Sequence, residues 1–233
     1  MGFNSLKKDL LALKNPGKAK ILSRFFKTGK GEYGEGDIFL GLTVPQQRQV
    51  AKKYTHLTIK ELQKLLSSKI HEYRMVALFI LMEKYKKAEG KEKEEIFHFY
   101  LSNTKNINNW DLVDLSAPNI VGDFLLDSDK KILYQLAKSK NLWERRIAIL
   151  ATYAFIKNGQ FEDTLKISEI LLKDTHDLIH KAVGWMLREV GKKDQEVEEK
   201  FLEKCCQQIP RTMLRYAVEK FSEEKRKFYL NKR

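Results

Sequence analysis

Cysteine is nearly missing from this chain: there are two in 233 residues, Cys205 and Cys206, side by side. Neighbours in sequence seldom pair, so no disulfide framework is present, and neither is the C-x-x-C spacing of a metal site. That usage fits a reducing compartment, and the expected location is cytoplasmic. Proline is as scarce. Pro16, Pro45, Pro118 and Pro210 each lie in or near a polar stretch where a helix can start or stop. Alternating Val/Ile/Thr runs joined by Asn-Gly or Asp-Gly turns are wanting, which argues against β-sheet. The longest apolar run, IAILATYAFI at 147–156, is too short to span a bilayer, so no membrane role is expected. The N-terminus, MGFNSLKKDLLALKN, lacks the apolar stretch of a signal peptide and has Leu6 where a myristoylation signal has Ser or Thr. Acidic residues are in deficit, 31 Asp+Glu against 44 Lys+Arg, for a formal net charge of +13. An excess on this scale points to a polyanion, nucleic acid before a membrane surface, although a generic basic soluble protein shows the same balance.

What fills the chain is helical periodicity. In KELQKLLSS the residues Leu62, Leu65 and Leu66 recur at i, i+3, i+4, and Val76, Phe79, Ile80 and Glu83 carry that spacing through the next segment. The segments also resemble one another. HEYRMVALFIL, WERRIAILATY and IHKAVGWMLRE each set a basic residue before an aliphatic helical run. Aligning Arg74, Arg146 and Lys181 gives spacings of 72 and 35; the midpoint of the first gap is Trp110, and a further 34 residues reach Arg215. A period near 35 with two helices per unit is that of a helical solenoid, here HEAT-like because the TPR Trp-Leu-Gly/Tyr pattern is missing. The expected architecture is one HEAT-like repeat domain over residues 1–233. Equivalent positions of a stacked array line one surface, usually concave, so Arg74, Trp110, Arg146, Lys181 and Arg215 are expected to form a strip.

Two motifs offer chemistry that the context denies. Residues 29–34, GKGEYG, spell G-x-G-x-x-G, but the upstream KILSRFFKT reads as helix rather than strand, and Glu32, Glu35 and Asp37 would repel phosphate. A glycine-supplied loop between helices is expected there, without a nucleotide. His176 and His180 stand at i, i+4, a metal-sharing spacing, but HDLIH is not H-E-x-x-H and no third ligand follows; two surface histidines are expected.

The stretch NNWDLVDLSAP at 108–118 is different. It sets Trp110 and Asp114 one helical turn apart in a basic chain. Asn108 or Asn109 can cap a helix starting at Trp110, and Pro118 kinks or restarts it. Val113, Ala117, Ile120, Val121 and Phe124 cluster on one face, with Trp110 in that arc and Asp114 at its edge. One reading is a half-buried tryptophan beside a solvated aspartate. The other is a carboxylate and a π-face placed together to stabilise a cation, as when a glycosidic bond breaks.

These motifs together resemble the DNA alkylation repair family of HEAT-like 3-methyladenine DNA glycosylases, the AlkD-type enzymes. The resemblance runs nearly the whole chain, through GKGEYGEGDIFLGLTVPQQR at 29–48, NNWDLVD at 108–114, LWERRIAIL at 142–150, KAVGWMLRE at 181–189 and IPRTMLRYAVEKF at 209–221. It implies an all-α fold, a right-handed superhelix of antiparallel helix pairs cradling duplex DNA in its concave face, and excision of cationic N3- and N7-alkylpurines without a cofactor or metal, by a monomer. By motif match Asp114 is the catalytic carboxylate, Trp110 and Trp185 pack on the lesion's deoxyribose, and Arg146 meets the DNA backbone. Arg74, Lys181, Arg188 and Arg215 are further expected DNA contacts. Phe25 takes the DNA-facing place where the well-understood branch has a tyrosine, and the loop at 29–37 is longer than in that branch. The other reading of the same motifs is a non-catalytic module that binds damaged or branched DNA.

Overall fold

The computed structural model describes residues 2–205 and 207–232; Cys206 lies outside the described residues. In chain order the helices are α1 (Phe3–Ala12), α2 (Pro16–Phe25), α3 (Val44–Lys53), α4 (Ile59–Leu66), α5 (His71–Lys87), α6 (Gly90–Ser102), α7 (Trp110–Ala117), the three-residue α8 (Asp123–Leu125), α9 (Lys131–Ala137), α10 (Leu142–Ala151), α11 (Tyr153–Lys157), α12 (Glu162–Leu171), α13 (Asp177–Lys193), α14 (Gln195–Cys205), α15 (Arg211–Ala217) and α16 (Glu223–Asn231). Among the described residues extended pairing is limited to an isolated parallel bridge between Ile38 and Ile70.

Local rules explain most boundaries. Pro16 sits in the first turn of α2 and Pro45 in that of α3, where a missing N–H costs nothing. Thr58 and Glu61 close a capping box at the start of α4, which buries Leu62, Leu65 and Leu66. After α7, Pro118 opens a π-turn over Pro118–Gly122 that leads into α8, so the wider turn absorbs the ring and the chain stays helical. α7 itself begins at Trp110, whose N–H is taken by the Asn109 side chain at 2.8 Å.

The chain divides into two compact units, Met1–Leu112 and Val113–Arg233, and the boundary falls inside α7 rather than in a linker. In the first unit α5 packs against α3 and α4 and is buried around nearly its full circumference from His71 to Met82. Its polar start holds a loop. The Glu72 carboxylate, fully buried, accepts the backbone N–H groups of Leu40 at 2.9 Å, Gly41 at 2.8 Å and Leu42 at 3.3 Å. That anchors the segment between α2 and α3 to α5. In the second unit α13 is central, packing on α10, α14 and α15. Gly184 permits a close approach to α15: a Cβ there would lie 2.4 Å from the Met213 carbonyl.

The helices correct the repeat register. Arg74 is the fourth residue of α5, and Arg146, Lys181 and Arg215 are each the fifth of α10, α13 and α15. The fifth residue of α7 is Asp114, while Trp110 is the first. An acid therefore occupies the fifth position, which is basic in α10, α13 and α15.

Candidate active site

In the second unit, α7 and α10 bring Asp114 and Arg146 together. The guanidinium grips the carboxylate at both oxygens, Nε to Oδ1 at 2.7 Å and Nη2 to Oδ2 at 2.7 Å. Its remaining arm, Nη1, donates to the Leu178 carbonyl at the start of α13. The Arg146 side chain is 5% exposed and that of Asp114 17%. Such a fork fixes the carboxylate plane. The solvated aspartate at a helix edge is thus not what the structure holds. Arg146 is not a surface cation either, since burial and three hydrogen bonds commit it to Asp114 and α13. Trp185, on α13, is half-buried, donates its indole N–H to Glu189 at 3.1 Å and lies 6.3 Å from the Tyr153 ring.

In the first unit, Trp110 ends a column of rings. It stacks on Phe26 at 5.1 Å and 27°, Phe26 on Phe39 at 5.1 Å and 13°, and Phe39 on His71 at 4.6 Å and 24°. Phe25, 61% exposed, meets Trp110 edge-on at 5.8 Å. The indole N–H donates to the Tyr33 hydroxyl at 3.2 Å. Below the column lies a buried charge cluster. Asp37 accepts from Arg74 at 2.7 Å and from His71 Nδ1 at 3.4 Å, and His71 Nε2 lies 2.8 Å from Asp111. Burial pulls the His71 imidazole down, but attraction and hydrogen bonds from Asp111 and Asp37 outweigh it and hold the pKa above its usual value. Burial likewise raises Asp37, and the hydrogen bond from His71 with the charge of Arg74 more than reverses that, leaving its carboxyl below the usual range.

The family model described as "DNA alkylation repair enzyme" matches residues 6–221. The chain belongs to that family. Three solved structures share its fold. A predicted DNA alkylation repair enzyme from Enterococcus faecalis superposes with a TM-score of 0.70 at 17% identity, covering 90% of this chain and 97% of that one. AlkD2 from Streptococcus mutans gives 0.56 at 19% identity over 88% and 97%. The protein smu.31 from Streptococcus mutans UA159 gives 0.56 at 20% over 77% and 93%. Among curated proteins none matches the chain. The all-α solenoid class expected from the repeats is the class of these neighbours. As a DNA alkylation repair enzyme the chain has DNA as its implied partner, and among the described residues no helix is long and apolar enough to cross a membrane.

Within this family member the expected DNA contacts separate into two kinds. Arg74 is 3% exposed and committed to Asp37 and to the Ser68 carbonyl at 2.9 Å, so its burial removes it from the solvent-facing strip. Arg188 is 17% exposed and carries Glu219 on one arm, with Glu189 at 3.6 Å from another. Two neighbouring carboxylates leave it little charge to offer a phosphate. Lys181 is 40% exposed, with Asp177 at 2.7 Å across one turn, and Arg215 is exposed. The histidine pair is half-buried rather than on the surface. His176 caps α13 through its Nδ1, accepting the Leu178 N–H at 3.1 Å, and His180 Nε2 meets the Asp174 carbonyl at 2.5 Å. Sequence reading missed Asp37, His71, Glu72 and Tyr33. The available signal was HEYR itself: three polar side chains opening a run whose periodicity is buried on every side.

Proposed function

We propose that the chain is a monofunctional DNA glycosylase that hydrolyses the N-glycosidic bond of cationic N3- or N7-alkylated purines in duplex DNA. The observation that carries this reading is the Asp114 carboxylate, oriented at both oxygens by Arg146 on a helix that also begins with Trp110. In the substrate the positive charge sits on the alkylated base. As the bond between C1′ and the base nitrogen breaks, its electron pair neutralises the base and the charge passes to the sugar. Asp114 stabilises that sugar cation and accepts a hydrogen bond from the water that attacks C1′; the water's proton leaves to the carboxylate or to solvent. The base departs neutral, so a dedicated general acid is unnecessary. Trp110 and Trp185 supply π-faces to the deoxyribose and its developing charge. Arg146 acts through Asp114 as a positioning residue, in place of the backbone contact expected for it.

The chemistry asks nothing of a metal or an organic cofactor, and we take the active form to be a monomer. Lys181, Arg215 and Phe25 remain DNA contacts in this reading, because each is open enough to meet a backbone or a groove. The test is incubation of the pure protein with a methylated duplex and identification of the bases released: free 7-methylguanine or 3-methyladenine is the expected product. One observation favours a second reading, a non-catalytic DNA-binding module. A fork between a buried arginine and a carboxylate explains itself as packing, with no substrate required. Binding of methylated duplex without release of any base would select that module.

A further inference from the structure

The Gly- and Glu-rich loop between α2 and α3 is tied by its own side chains and by its neighbours. Its carboxylates cap its own backbone: Glu32 accepts the Gly29 N–H at 2.8 Å and Glu35 the Gly31 N–H at 2.8 Å. The Gly34 N–H returns to the Lys27 carbonyl at 3.0 Å, and a Cβ on Gly34 would lie 2.4 Å from the Phe26 carbonyl, so no other residue fits there. Asp37 then pins the loop's end to Arg74 and His71. Between these fixings stands one aromatic side chain, Tyr33. Its hydroxyl accepts the Trp110 indole N–H at 3.2 Å and donates towards the Phe25 carbonyl at 3.4 Å.

We infer that Tyr33 is a positioning residue for Trp110: the loop exists to place one phenol on the indole N–H and so fix the plane that the substrate's sugar packs against. The inference rests on Trp110 having the role given to it above. Phe26 stacking alone leaves the indole able to slide and tilt, because aromatic pairs are favourable over a range of offsets and angles. A hydrogen bond at the ring edge removes the freedom. It also consumes the only polar hydrogen of the indole, so the face left to the substrate is purely π. A platform held this way is pre-organised for a cation that exists only transiently.

Tyr33→Phe tests this, since it keeps the ring and deletes the acceptor. The Trp110 indole cross-peak in a nitrogen-15 spectrum, assigned by its loss in Trp110→Phe, should move. The melting temperature should hold within about 2 °C, since the ring and its packing are kept. The single-turnover rate of 7-methylguanine release should fall about tenfold, as for a misplaced positioning group, with affinity for undamaged duplex unchanged. An unmoved cross-peak overturns the contact. A moved cross-peak with an unchanged rate overturns the role while leaving the glycosylase reading intact. Stability, affinity and rate falling together make Tyr33 merely structural and also overturn it. Wild-type protein that releases no base overturns the glycosylase reading and takes this role with it.

Discussion

Arg74 and Arg146 stand 72 residues apart in sequence, near the start of α5 and of α10, and each holds an aspartate. The two pairs differ in what the carboxylate is left to do. Asp37 is 4% exposed, shared by Arg74 and His71, and ties a loop to α5. Asp114 is 17% exposed, gripped by one arginine at both oxygens, and opens towards solvent from α7. One geometry closes a charge inside the protein. The other fixes a charge and leaves part of it accessible. The same pairing of residue types therefore serves architecture in the first unit and, in our reading, chemistry in the second.

The comparison breaks first at Asp37. Asp37→Asn leaves the buried Arg74 cation without its carboxylate and takes one of two acidic partners from His71, and breaking a buried pair costs about 3–5 kcal/mol, so denaturant unfolding should show a loss of that order. Asp114→Asn should cost less, about 1–3 kcal/mol, because the site is wetter and Arg146 keeps the Leu178 carbonyl. Equal losses at the two sites would erase the distinction. A smaller effect separates the pairs by pH. His71 has a raised pKa, so its stabilising contribution is complete below the unfolded value of 6.5 and is lost as pH rises through the folded value. Asp37 has a lowered pKa, so its contribution is complete above 3.8 and is lost as pH falls through its folded value. Unfolding free energy should therefore decline as pH rises from 6.5 towards the folded value, and His71→Gln should flatten that slope while Asp114→Asn leaves it in place. Smallest of all are the open cations. Lys181→Gln and Arg215→Gln should each weaken duplex binding alike across sequences and lower the slope of log affinity against log salt by about one; an unchanged slope would remove the residue from the interface.

How much of this was written in the sequence depends on the distance to the partner. Leu62, Leu65 and Leu66 announce α4 because their partners lie on the same helix face, and Thr58 announces its start for the same reason. Arg74 and Arg215 are the same letter at the same place in a repeat, yet one is buried and the other open. The difference is Asp37, supplied by a loop whose path no periodicity encodes. Glu32 and Glu35 were legible as anions but not as caps, since capping Gly29 and Gly31 depends on where those glycines turn. Asp114 was legible as a misfit in a basic chain. Its partner was not, because Arg146 reads as one more member of the strip until α7 and α10 are packed together. Trp110 was assigned to the repeated position by even spacing, and helix starts rather than spacing decide that register.

The central claim is that Asp114 is fixed for chemistry and not only for packing. It is tested most directly by single-turnover release of 7-methylguanine from methylated duplex by Asp114→Asn, with binding to undamaged duplex measured alongside. The account predicts a rate lower by roughly 10²–10³, the usual loss for one well-placed electrostatic contact, with binding held or slightly tighter because a like charge near phosphate has gone. Release within about threefold of the wild-type rate, far short of that loss, would contradict it.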